Sequence, residues 1–141
     1  MKTVSATVQI DALPMAVWAV LTDLGRYQDW NPLFREASGE VEVGQRIRLR
    51  TVQPAGGRMM TVRPKIVAAE PGAELRWVSS LPGIMSGEHS FVLSPVDGGT
   101  RLAQSESYRG LLVPFSGKTF AGAEASFRAL NEALKKRAEA G

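Results

Sequence analysis

The sequence predicts an α+β fold in which a strongly bent antiparallel sheet of about seven strands wraps around one long C-terminal helix. The first observation behind this class is the order of periodic patterns, which runs from one strand through two short helices and six strands to a long helix. The second is the regular spacing of Gly- and Pro-containing turns between the strands, which is typical of consecutive hairpins. A sheet with one apolar face must be covered, and only the last helix is long enough to cover it.

The first thirty residues change from a strand period to a helix period. Alternation predicts a first strand over Thr3 to Ile10. Pro14 suits the first position of a helix, and Gly25 marks the end of that helix. A second short helical turn around Tyr27 ends before Pro32, because proline disfavours helix at the residue that precedes it.

Six strands and a final helix make up the rest of the chain. The predicted strands are Phe34 to Gly39, Arg46 to Val52, Met60 to Ala69, Glu74 to Ser80, Gly87 to Ser94 and Thr100 to Arg109. The final helix is predicted from about Ser116 to Ala138, where one apolar stripe contains Phe120, Ala123, Phe127, Leu130 and Leu134. A bent sheet around a single helix leaves a space between them, and that space is the predicted ligand site.

The composition limits the classes of protein and of functional site that are expected. With 141 residues, of which 44% are hydrophobic and 22% charged, the chain is expected to form a single globular domain over residues 1–141. It shows no signal peptide and no apolar run long enough to span a membrane, which predicts a cytoplasmic location. The absence of cysteine excludes disulfides and thiol catalysis, and one histidine excludes a multi-histidine metal site. No cofactor is expected.

A histidine and a carboxylate are predicted to meet on the apolar face of the last hairpin. Asp97-Gly98 is a strong signal for a two-residue turn whose central positions both need positive φ. Counting back from that turn places His89 opposite Glu106, and directly opposed residues share a face of the sheet. Burying these groups is costly unless they pair or meet a polar ligand.

The preceding hairpin positions a tryptophan on the same inward face. Pro71-Gly72 separates its two predicted strands. If these two residues are the whole loop, Trp77 lies opposite Ile66, on the parity of Leu75. Trp77 is then expected to contribute to the core or to the wall of the ligand site.

Three interpretations of His89 and Glu106 follow from the residues alone. They can form a structural ion pair, contact a ligand, or perform general acid/base chemistry in which His89 moves a proton and Glu106 orients its ring. A few polar groups among aromatic side chains suit a small-molecule pocket, and they equally suit a satisfied core. The predicted ligand-contacting set is Trp77, Ser79, His89, Phe91, Gln104, Glu106, Tyr108, Phe120, Ala123 and Phe127.

Strings along nearly the whole chain resemble one superfamily. They include Val17 to Asp23, Trp30-Asn31-Pro32, Glu70-Pro71-Gly72, Leu75-Arg76-Trp77, Gly87-Glu88-His89 and Leu130 to Glu139. They resemble the START-related, helix-grip superfamily (SRPBCC-type proteins), which includes polyketide cyclase/dehydratase-like and lipid-transfer-like members. The resemblance implies binding of a hydrophobic or aromatic small molecule between the sheet and the last helix. It implies no catalytic residues, because the superfamily shares no catalytic set.

Two other functions are weighed against simple binding. The first is a cyclase- or dehydratase-like reaction on a polyketide-like compound, with His89 as the proton-transfer group and no metal or redox cofactor. The second is a membrane- or protein-interaction module that uses the apolar segments Leu111–Phe115 and Leu81–Met85. Nucleic acid is not a predicted partner: the arginines at 46, 48 and 50 alternate as an outer sheet face does, without a recognition helix or stacking motif.

Overall fold

The structure, a computed structural model, describes residues 2–52, 58–81, 85–110 and 117–141, and only the backbone of 81, 85 and 117–121. Within these ranges the chain forms eight strands, three α-helices and one 3₁₀ turn. They are β1 (Lys2–Ile10), α1 (Pro14–Thr22), the 3₁₀ turn (Leu24–Arg26), α2 (Tyr27–Trp30), β2 (Phe34–Ser38), β3 (Arg48–Val52), β4 (Met59–Val62), β5 (Lys65–Glu70), β6 (Glu74–Leu81), β7 (Met85–Val96), β8 (Gly99–Gly110) and α3 (Gly117–Ala140).

The predicted α+β class is confirmed, with two short helices after the first strand and one long helix at the C-terminus. The described strands lie in two antiparallel sheets, one ordered β1-β8-β7-β6-β5 and the other β2-β3-β4. The division falls within the segment predicted as a single strand, Met60 to Ala69. Pro64 interrupts it, because proline has no N–H for the ladder, so β4 pairs with β3 and β5 pairs with β6.

The predicted register of the last hairpin is confirmed over its full length. Val96 pairs with Gly99, and His89 pairs with Glu106. The expectation that both turn positions have positive φ is wrong, because only Gly98 does, at 75°, and Asp97 does not. The two-residue turn therefore keeps the predicted register with positive φ at only one of its two positions.

The pairing of Ile66 with Trp77 is also confirmed, although the loop that was expected to produce it is wrong. Glu70 pairs with Glu74, so the turn contains three residues rather than the two of Pro71-Gly72. A bulge between Ile66 and Ala68 on β5 then offsets the extra residue.

Helix α3 packs against β1, β8 and α1, and covers the inner face of the five-stranded sheet. Its buried side chains include Ala123, Phe127, Leu130 and Leu134, which belong to the predicted stripe. None of the helices in the described part of the chain is long and apolar enough to cross a membrane.

The C-terminal end of α3 is tied to the end of β1. Glu139 Oε2 accepts hydrogen bonds from Lys135 Nζ at 2.6 Å and from the Asp11 backbone N–H at 2.8 Å. These bonds, that of Lys135 first, lower the pKa of the Glu139 carboxyl. Lys135 also donates to the Gln9 carbonyl at 2.9 Å, so the helix end holds a fixed position over the sheet.

Candidate functional site

The antiparallel register places residues of the inner face in rows across the larger sheet. One row contains Trp77, His89, Glu106 and Val4. The next row, toward the C-terminal ends of β6 and β8, contains Ser79, Gly87, Tyr108 and Lys2. Since the side-chain period of a strand is two, alternate residues share one face. The candidate site comprises these two rows and the part of α3 above them.

The His89 ring is enclosed by aromatic side chains. Trp77 stacks on it with ring centroids 5.4 Å apart and planes 19° apart. Phe34, Phe91 and Phe127 lie around it at centroid distances of 5.4, 4.9 and 5.0 Å. Only 3% of the His89 side chain is exposed. Because the surroundings are apolar, the polar edges of the ring depend on protein hydrogen bonds.

A buried pair of amides supplies one of those hydrogen bonds. Gln104 is fully buried, and its Nε2 donates to Asn131 Oδ1 at 2.7 Å and to the Phe127 carbonyl at 3.2 Å. Asn131 Nδ2 in turn donates to the Ala6 carbonyl of β1 at 3.1 Å. These donor assignments fix the orientation of the Gln104 amide, and its Oε1 therefore faces His89 Nε2 at 2.8 Å.

The hydrogen-bond pattern fixes the proton count of His89 and Glu106. Gln104 Oε1 is an acceptor, so His89 Nε2 carries a proton. His89 Nδ1 lies 2.9 Å from Glu106 Oε2, and a hydrogen bond there needs one proton between the two atoms. Whichever atom holds that proton, the pair carries no net charge: it is either an imidazolium with a carboxylate or a neutral imidazole with a carboxylic acid.

The Glu106 carboxyl group is the exposed end of this polar chain. Its side chain is 20% exposed, and its Oε2 also accepts a hydrogen bond from the Tyr108 hydroxyl at 3.4 Å. Burial, and then the adjacent Glu106 charge, raise the pKa of the Tyr108 phenol, so it keeps its proton. Glu106 Oε1 lies over Gly87, where an added Cβ would come within 2.5 Å of it.

Most of the predicted ligand-contacting residues come together here. Trp77, Phe91 and Phe127 surround His89, while Gln104, Glu106 and Tyr108 belong to its hydrogen-bond chain. Ser79 is half-buried in the row of Gly87, and Ala123 is fully buried one helical turn before Phe127. The side chain of Phe120, the segment Leu111–Phe115, and the side chains and loop of Leu81–Met85 lie outside the described residues.

Three further residues of the site were missed by the sequence analysis. Phe34 contacts the rings of Trp77 and His89 from the smaller sheet, and no local pattern identifies that contact. The sequence does indicate Asn131, because it follows Phe127 by four residues and is therefore a polar side chain on an apolar helix stripe. Gly87 is identified only by its proximity to Glu106.

The arrangement is a continuous hydrogen-bond chain that ends at a partly exposed carboxyl group. Among the described residues, no group of three or more histidine or carboxylate side chains is placed to hold a metal ion. The polar chain runs from the Ala6 carbonyl through the two amides to His89 and ends at Glu106. Glu106 is the member that another molecule can reach.

The whole fold is similar to known proteins. Residues 1–139 match the family model described as polyketide cyclase/dehydrase and lipid transport. An aromatase/cyclase from a Streptomyces species aligns with a TM-score of 0.78 and 21% identity over 98% of this chain and 93% of that chain. A START superfamily protein from Mycobacterium smegmatis aligns with a TM-score of 0.75 and 19% identity over 98% and 97%.

A protein from Mesorhizobium loti aligns with a TM-score of 0.78 and 22% identity over 96% of this chain and 95% of that chain. At such identities these likenesses concern the fold alone. No curated protein matches the chain. The predicted polyketide cyclase/dehydratase-like resemblance is thereby confirmed by the family model, and the START superfamily structure shares the fold.

Proposed function

This chain belongs to the polyketide cyclase/dehydrase and lipid transport family, and we propose that it reversibly binds a hydrophobic or aromatic small molecule between the five-stranded sheet and α3. The family and its structural neighbours support a ligand-binding or cyclase-type fold. The observation that carries the proposal is Glu106, a 20% exposed carboxyl group that ends a buried polar chain among aromatic side chains. Apolar walls with a few placed polar groups are typical of small-molecule sites.

The enclosure of His89 supports binding over catalysis. A general acid or base must come within about 2.6–3.2 Å of the proton that it transfers, directly or through one water. Both ring nitrogens of His89 are engaged by Glu106 and Gln104, and the side chain is 3% exposed. In this arrangement His89 acts on a bound molecule only through Glu106.

The proton shared by His89 and Glu106 favours a second candidate function, a cyclase- or dehydratase-like reaction. In that function a substrate proton would pass to Glu106 Oε1, while the proton at Oε2 moved fully to His89 Nδ1. His89 would then be the proton-transfer group at one remove from the substrate. The two candidates differ in a measurable way, since a binding protein releases its ligand chemically unchanged.

A Ser79→Trp variant is expected to weaken binding of the uncharged fluorescent probe N-phenyl-1-naphthylamine by about tenfold or more, roughly 1.4 kcal/mol. The reason is that Ser79 is half-buried on the inner face beside Gly87, where an indole would fill the space next to Glu106. Fluorescence titration measures the affinity. Ser80→Trp is the matched control, because Ser80 is exposed on the opposite face of the same strand, and its affinity should equal that of the wild type.

Ala123→Trp tests the same site from the helix side and is also expected to block the probe. Ala123 is fully buried, so circular dichroism and denaturant unfolding must first show that this variant folds. If it does not fold, the Ser79 and Ser80 pair decides the outcome alone. Equal probe affinity in wild type, Ser79→Trp and Ser80→Trp would show that the probe binds away from the sheet and helix.

A further inference from the structure

We propose that the site selects a neutral ligand that bears a hydroxyl group, and that this hydroxyl donates a hydrogen bond to Glu106 Oε1. The inference deepens the proposed binding function and rests on it. In this assignment Glu106 is the specificity-determining residue. His89 is a positioning residue, because it holds Glu106 without contacting the ligand.

Of the two Glu106 carboxyl oxygens, Oε1 is the one available to a ligand. Oε2 already accepts from His89 Nδ1 at 2.9 Å and from the Tyr108 hydroxyl at 3.4 Å. Within the described part of the chain, Oε1 receives no hydrogen bond, and it lies over Gly87. The Glu106 side chain is only 20% exposed, and a partly buried carboxyl oxygen is more stable with a donor, so Oε1 is the acceptor that a ligand would satisfy.

Oε1 keeps the same hydrogen-bonding role wherever the shared proton lies. If the shared proton is on His89, Oε1 belongs to a carboxylate, and if the proton is on Oε2, Oε1 is the carbonyl oxygen of a carboxylic acid. It is an acceptor in both forms. The ligand must therefore present a donor at this point, and an ether of the same shape cannot.

The surroundings of Oε1 favour an uncharged ligand. A carboxylate ligand would place acceptor against acceptor at Oε1, and Tyr108 already directs its hydroxyl to Glu106. An ammonium ligand would lose hydration without meeting a net negative charge, because His89 and Glu106 together are neutral. The charged residue in the row of Tyr108, Lys2, is exposed to solvent. A neutral hydroxyl on an apolar body is the group that fits.

Small residues lie beside Oε1 and leave space for a ligand. Ser79 and Gly87 are cross-strand partners, so two small residues lie side by side in the row next to Glu106. Gly87 is not one of the glycines with positive φ, so its backbone accepts alanine. The added Cβ would come within 2.5 Å of Oε1, so the carboxyl group at the end of the flexible Glu106 side chain would have to shift.

The test compares three naphthalenes of similar shape by isothermal titration calorimetry: 2-naphthol, 2-methoxynaphthalene and 2-naphthoate. The wild type should bind 2-naphthol about tenfold more tightly than the ether, as one hydrogen bond to a partly buried acceptor allows, and should bind the carboxylate most weakly. Glu106→Leu should bind the alcohol and the ether equally. Gly87→Ala should reduce the preference for the alcohol, since it moves Oε1.

Glu88→Gln is the matched control, because Glu88 is a carboxylate on the neighbouring strand β7 that pairs with Arg76 on the outer face, and it should leave the preference unchanged. Equal affinity of the wild type for alcohol and ether, or tightest binding of 2-naphthoate, would overturn the inference and leave the binding function standing. A Glu106→Leu variant that keeps the preference would also overturn it. Binding of none of the three, together with no binding of N-phenyl-1-naphthylamine, would remove the proposed function itself.

Discussion

Replacing Gln104 with leucine is expected to lower the free energy of unfolding by about 2–4 kcal/mol. Leucine fills similar volume but makes none of the three hydrogen bonds of the buried amide, so Asn131 Oδ1 and His89 Nε2 lose their partners. Each buried group left without a partner costs about 1–3 kcal/mol. Urea unfolding measures the loss. Gln9→Leu makes the same chemical change at an exposed position of β1 and should stay within about 0.5 kcal/mol of the wild type.

A double-mutant cycle shows whether the two amides act as one unit. Asn131→Leu alone leaves Gln104 Nε2 short of one acceptor and removes the donor to the Ala6 carbonyl. In the double variant both amides are replaced, so the free-energy cost of losing the hydrogen bond between them enters only once. The summed single effects should therefore exceed the double effect by about 1 kcal/mol or more. Strict additivity would show that the amides do not depend on each other.

His89→Gln is expected to change ligand affinity modestly, by less than about tenfold, while the released ligand remains chemically unchanged. Glutamine keeps a polar group of similar reach but removes the imidazole ring. Since His89 contacts Glu106 rather than the ligand, its loss shifts the carboxyl group without removing the acceptor. Affinity is measured by titration calorimetry and the chemical state of the ligand by mass spectrometry. Glu106→Gln, which keeps hydrogen-bonding ability, should likewise change affinity only modestly.

Catalysis would produce a different pattern in the same variant. If His89 transfers a proton in a reaction, turnover in His89→Gln should fall by about two to four orders of magnitude. Ligand affinity would fall far less, because the lost interaction is made mainly in the transition state. A substrate whose turnover collapses in this way while its Kd holds would establish the cyclase-type function. Circular dichroism of the variant must match the wild type, since the ring packs against four aromatic side chains.

The last hairpin shows why much of the fold was predictable from the sequence. A one-residue slip would move every side chain to the other face, so alternation and a single turn signal together fix the pairing of His89 with Glu106. This held although the turn has positive φ only at Gly98, because the register depends on the number of turn residues rather than on their exact conformation.

The β5–β6 hairpin shows the limit of that reasoning. Its predicted partners, Ile66 and Trp77, do pair, but through a three-residue turn and a compensating bulge on β5. A bulge depends on cross-strand packing and leaves no local signature. The separation into two sheets had a local cause at Pro64, whereas the contact of Phe34 with His89 depends on how the sheets pack together.

The candidate site could be predicted from the sequence only in part, for a related reason. His89, Gln104 and Glu106 lie on the same face of the last hairpin, so the register of that hairpin is enough to predict that they meet. Their link to α3 through Asn131 requires knowing which turn of the helix lies above Gln104, and helical periodicity does not specify that. Which atoms of Glu106 are engaged also depends on the full hydrogen-bond chain, and no spacing in the sequence encodes it.

A crystal structure of the protein with 2-naphthol tests the central claim most directly. The predicted result is a ligand between the five-stranded sheet and α3, with its hydroxyl within hydrogen-bond distance of Glu106 Oε1 and His89 Nδ1 still bonded to Oε2. The naphthalene ring should lie in the space beside Ser79 and Gly87. A naphthol bound on the outer face of the sheet, or seated inside with its hydroxyl directed away from Glu106, would contradict the account.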